Sequence, residues 1–206
     1  MPGCCDDKGC STEHLARRQA ATLKAVLVIN GAMFVVELVA GLIAGSVALL
    51  ADSLDMLGDA LVYAVSLLAV GRDARWKAGA ALFKGAVMAG FGLFVLGKAV
   101  HTMLAPIPPE VAIMGGVGLL ALGANGLCLA LLWRRRRDDV NMRSVWLCSR
   151  NDIIANVSVL AAAGAVHALD SAWPDIAVGL GLAALWLASS LGVIRSASRE
   201  LAAAQG

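Results

Sequence analysis

The 206-residue chain is 59% hydrophobic and 16% charged, with mean hydropathy +0.77 and a formal net charge of +2. Soluble domains sit nearer roughly 45–50% apolar and about 25% charged, so these values exclude a sizeable soluble domain and describe a polytopic membrane protein. The 22 glycines fit that class, because small residues let helices approach closely in lipid.

Residues 1–20 form a polar tail that holds three of the five cysteines. The tail lacks the basic-then-apolar layout of a signal peptide. It is expected to be flexible and cytoplasmic, with reduced thiols. Cys4, Cys5, Cys10 and His14 lie in CCDDKGCSTEH, a spacing that matches no structural zinc pattern. A metal-collecting tail and a disordered start with incidental thiols both stay open.

Six apolar stretches follow, each near the roughly 20 residues that span a bilayer as a helix. They are 21–43, 45–70, 77–103, 111–133, 142–165 and 174–195. The expected fold is therefore all-α, with a six-helix transmembrane domain over 21–198 and a short tail over 199–206. Ala44-Gly45-Ser46 makes a tight turn after the first helix. Pro106, Pro108 and Pro109 separate the third from the fourth, and Pro174 opens the sixth.

Basic residues gather on one side. The first tail has Lys8, Arg17 and Arg18, the 2–3 loop Arg72, Arg75 and Lys77, and the 4–5 loop Arg134 to Arg137 and Arg143. Arg195 and Arg199 follow the sixth helix, whereas the 1–2 and 5–6 connections have neither Lys nor Arg. The positive-inside rule then puts both termini in the cytoplasm, as an even number of spans requires. The arginine run reads as a stop-transfer anchor rather than a nucleic-acid patch.

The second helix carries Asp52, Asp55 and Asp59 in LLADSLDMLGDALVYAV. Each carboxylate at a bilayer centre costs about 2.5–3.5 kcal/mol on insertion scales. Their i, i+3, i+7 spacing puts all three on one stripe, where like charges repel unless a cation or protons neutralise them. The fifth helix brings a second polar face in SVWLCSRNDIIANVSVL: Cys148 and Asp152 four apart, with Asn156 one turn on. Two helices with an i, i+4 pair each can build a four-ligand site from Asp55, Asp59, Cys148 and Asp152. Thiolate and carboxylates in a tetrahedral set suit zinc, with cadmium, iron(II), cobalt or manganese also admitted. Asp52 and Asn156 are accessory candidates. Asp52 lies closer to the outer end and equally fits a structural pairing. Asn156, Asn151 and Asn30 read as interhelical hydrogen-bond partners, and Cys128 and Asn125 as packing residues.

AGSVALLADSLDMLGDA and SRNDIIANVSVLAAAG resemble the second- and fifth-helix signatures of the cation diffusion facilitator family, and WPDIAVGLGLAALWLASSL is similar to its sixth helix. The likeness covers roughly residues 20–198. It implies a transport site with an Asp-x-x-x-Asp pair at Asp55 and Asp59, and a second pair at Cys148 and Asp152. Cys148 stands where the family usually has His or Asp. The family usually continues into a cytoplasmic metal-binding domain. Only SASRELAAAQG follows here, so the resemblance implies a short member whose dimer contact, if formed, comes from the helices.

The resemblance further implies export of divalent cations against protons across the inner membrane, with no bound cofactor and no enzymatic activity. Ligands must lose protons to hold metal, so the two compete for one cluster. A passive metal channel or a sensor is the main alternative. A metal-dependent membrane phosphotransferase would need an Ala-Arg and a final aspartate pair after Asp55, which the chain lacks. Glu37 and Lys98 approach outer helix ends; a pair at the outer gate is one reading, and snorkelling side chains the preferred one. His101 and His167 read as solvated residues at the outer connections.

Overall fold

The computed structural model describes the backbone at 6–68, 74–133 and 140–203; within those runs the side chains at 6–19, 66, 74, 77, 140–151, 200 and 203 are not described. Six helices follow in order: α1 (Asp6–Ala44), α2 (Val47–Leu68), α3 (Ala74–Leu104), α4 (Val111–Trp133), α5 (Val140–Leu169) and α6 (Trp173–Ala203). The described chain is all-helical, and the elements match the six expected stretches. Helix α1 starts well before its apolar run, which occupies Ala20–Ala44.

Five helices, α1 and α3 to α6, are long and apolar enough to cross a membrane. The sixth, α2, carries the three aspartates and sits in the middle of the bundle, against α1, α3, α5 and α6. At 22 residues it is about 33 Å long, enough for the hydrocarbon core. Leu68 is its one member among the large apolar residues exposed on the described surface, whereas the other five helices expose several valines, leucines or phenylalanines each. The five lipid-facing helices thus shield the polar one. This is the arrangement expected of a multi-pass membrane protein.

The α1–α2 turn is fixed by local chemistry. Gly45 adopts φ +70°, a left-handed conformation that glycine takes without steric cost. The Ser46 N–H then donates to the Gly41 carbonyl at 3.0 Å, the six-to-one bond of a Schellman cap. Ser46 also starts α2: its hydroxyl accepts the Leu49 N–H at 3.0 Å, as an N-cap residue does. The freed Ala44 carbonyl accepts the Glu110 N–H at 2.9 Å, which ties the start of α4 to the end of α1.

A contact between distant parts of the chain completes this end. Asp175, fully buried near the start of α6, accepts the Ser46 hydroxyl at 2.6 Å, the Val47 N–H at 2.7 Å and the Ala48 N–H at 3.1 Å. These amides belong to the first turn of α2, which has no intrahelical partner for them. The carboxylate also meets the positive end of the helix dipole. One turn on, Gly179 lies so close to α2 that a Cβ there would stand 2.7 Å from the Val47 carbonyl carbon and 2.8 Å from the Ala48 nitrogen.

Apolar clusters stack along the axis. On the side of the termini, Leu23, Val26, Tyr63, Cys128 and Leu132 pack together. Met33, Met56 and Ala121 form a small middle cluster. On the side of the short turns, Ala40, Leu49, Met114, Val159 and Ala162 make one cluster, and Val47, Leu50, Val95, Ala99 and Ile176 another.

Candidate metal site

Helices α2 and α5 bring the sequence-predicted acids together. One oxygen each of Asp55, Asp59 and Asp152 lies within 4.8 Å of the other two. Asp55 is 2% exposed, Asp152 4% and Asp59 9%. Asp55 and Asp59 face the same way because they are one turn apart. Asp152 reaches them from α5, the partner helix. If ionised, each pair at this separation repels by about 3–4 kcal/mol at an effective dielectric of about 20. The cluster therefore calls for a cation or protons. Asp55 Oδ2 is buried and has no hydrogen-bond partner.

Two neighbours bear on Asp59. The Tyr63 hydroxyl donates to Asp59 Oδ2 at 2.6 Å, from one turn further along α2. Lys84 of α3 is close enough to Asp59 to attract it electrostatically. Tyr63 went unremarked in the sequence, although it is the single tyrosine and lies at i+4 from Asp59.

The three acids line a cavity of about 570 Å³ between α2, α3, α5 and α6. Most of its other walls, among them Val62, Lys84, Met88, Ser189 and Val193, lie level with the acids or on the termini side. The exposed side chains of Ile154 and Leu185 also line it, so it reaches the bundle surface between α5 and α6. Two of the packed apolar clusters, around Val47 and Leu49, fill the turn side.

The remaining candidates divide. Asn156 donates from Nδ2 to the Asp152 carbonyl at 2.9 Å and to Asp52 Oδ1 at 3.4 Å, in line with its reading as an interhelical partner. Asn30 likewise donates to the Val26 carbonyl at 2.9 Å and to Cys128 Sγ at 3.6 Å. Glu37 corrects the snorkelling expectation: it is 0% exposed and packed inside the bundle. It shares an α1 stripe with Met33 and Ala40, both of which face α2 and α4 in the core clusters. His101 and His167 are exposed, in the last turns of α3 and α5. The side chain of Cys148 lies outside the described residues, as do those of Cys4, Cys5, Cys10 and His14.

Comparison with known proteins agrees with this architecture. The metal cation efflux system protein CzcD of Cupriavidus metallidurans is 27% identical over 178 residues, covering 81% of this chain and 56% of that protein. The cation efflux system protein CzcD of an Alcaligenes species is 28% identical over the same length and coverage. The zinc transporter ZitB of Pectobacterium atrosepticum is 27% identical over 204 residues, 91% of this chain and 63% of its own. The chain thus spans somewhat more than half the length of these relatives. The model of the cation efflux transmembrane domain matches residues 23–202, nearly the whole helical bundle, and the chain belongs to that family.

Proposed function

We propose that the chain exports a divalent cation, zinc or a similar ion, across the inner membrane in exchange for protons. One observation carries this reading: three buried carboxylates from two helices converge within 4.8 Å beside a cavity. The names of the relatives support the substrate class, since they include cation efflux proteins and a zinc transporter. Membership of an efflux family sets the phosphotransferase alternative aside.

The chemistry follows from the donor set. Carboxylates hold a divalent ion only when deprotonated. Ion and protons are therefore alternative occupants of one cluster. With the termini in the cytoplasm, the cavity walls at Val62, Lys84 and Val193 extend from the acids toward the cytoplasmic side. The ion enters there as protons leave. When the site turns outward, protons displace the ion, and the inward proton gradient makes the cycle run toward export. Midplane sites between rocking helix bundles are the usual geometry for such carriers. Cys148, one turn before Asp152 on α5, is the proposed fourth ligand. A thiolate there would favour zinc and cadmium over manganese.

Sealed proteoliposomes holding the full chain give the test. Zinc or cadmium flux should follow an imposed pH gradient and move protons the opposite way. Flux indifferent to that gradient would make the chain a passive pore. Cys148→Ser should weaken zinc and cadmium transport more than manganese transport.

A further inference from the structure

A second set of polar side chains lies one helical turn from the acid site, toward the turns. Asp52 precedes Asp55 by three residues on α2, about 4.5 Å along the axis. Asn156 follows Asp152 by four on α5. Glu37 reaches the same layer from α1. Its stripe neighbours fix the level: Met33 packs with Met56 and Ala121, and Ala40 packs with Leu49, Met114 and Val159. Asp52 lies between Leu49 and Met56 on α2, and Asn156 lies just before Val159 on α5. The three polar residues therefore share one slab of the bundle, closed by apolar packing on the turn side.

Their hydrogen bonding is incomplete in one direction only. Glu37, Asp52 and Asn156 are each 0% exposed. Both Glu37 oxygens, Asp52 Oδ2 and Asn156 Oδ1 have no partner. The Asn156 amide is oriented by its donor bonds to Asp52 and the Asp152 carbonyl, which leaves its oxygen free. Asp52 is also the charge that acts on Glu37. Four buried acceptor atoms thus meet no donor. Burying such groups unpaired is costly, and three different helices supply them to one layer. Two carboxylates match the charge of one divalent ion, and a carboxamide oxygen adds a neutral ligand. The set contains oxygen alone, which suits hard cations and holds softer ones loosely.

We propose that Glu37, Asp52 and Asn156 form a second cation station, through which the divalent ion passes between the acid site and the turn side of the membrane. The station rests on the carrier reading above. A site of oxygens with loose selectivity is suited to handing an ion on rather than keeping it. Its position one turn away makes the transfer a single short step.

Manganese is the probe, because it prefers oxygen ligands to thiolates. Equilibrium dialysis and electron paramagnetic resonance on the full chain in lipid nanodiscs should find two Mn²⁺ per chain, close enough for their spins to couple. One ion per chain, or two uncoupled ions, overturns the station. In an Asp55→Asn, Asp59→Asn, Asp152→Asn background, one Mn²⁺ should remain, and adding Glu37→Gln should weaken it on the order of tenfold or more. No residual ion, or residual binding unmoved by Glu37→Gln, also overturns it. Should the combined variant fail to fold, Glu37→Gln alone decides. It should reduce two ions to one and abolish the coupling, and an unchanged count of two refutes the assignment. Failure of the carrier reading looks different: normal transport by Asp55→Asn, whatever the Mn²⁺ count.

Discussion

Asp175 and Asp55 are both buried aspartates in the same bundle, yet their surroundings are opposite. Asp175 accepts three hydrogen bonds, one from a hydroxyl and two from amides at the start of α2. Asp55 has an oxygen with no partner and two further carboxylates within 4.8 Å. The contrast separates a carboxylate that holds helices together from one kept available for a ligand. Desolvation burdens both, but only the first is compensated inside the protein.

The comparison can be broken by substitution. The largest effect is expected at the acid site. Asp55→Ala, Asp59→Ala or Asp152→Ala should abolish metal transport in proteoliposomes. Removing a mutually repelling charge should at the same time leave the melting temperature unchanged or raise it. Asp175→Ala should do the reverse to stability. It strands three buried donors, a loss of about 2–4 kcal/mol, read as a lowered melting temperature, while zinc binding to the folded fraction persists. Should Asp175→Ala leave stability intact and remove metal binding, the two carboxylates would have to exchange roles. Gly179→Val tests the same joint by overpacking. The forced separation of α2 and α6 should cost about 1–3 kcal/mol on the same thermal scale. The smallest change is Tyr63→Phe. Losing one donor to Asp59 should shift zinc affinity by about tenfold or less, measured by competition with a chelating dye.

Much of this was legible in the sequence, and what was missed has a physical reason. The six apolar runs and the turn residues place the helices, because membrane length and hydropathy dictate them directly. The i, i+4 spacing of Asp55 and Asp59 reveals their common face, and the matched depth of Asp152 points to its meeting them. Glu37 was misread because position along a helix was weighed without its face. Its neighbours at i−4 and i+3, Met33 and Ala40, are buried, while Val35, Val36 and Val39 point to lipid. The Asp175 contact had no local signal. Its partners are 127 to 129 residues earlier, and a carboxylate after Pro174 reads equally well as capping its own helix.

The joint at Asp175 bears on how the bundle can move. Three hydrogen bonds and a glycine-sized gap fasten α2 to α6 at one extremity, so the pair has a fulcrum there. Any swing between them must widen away from that joint, and the 570 Å³ cavity flanks both helices along the way. A small rotation at the fulcrum is multiplied by the length of the lever, and the acids sit partway along it.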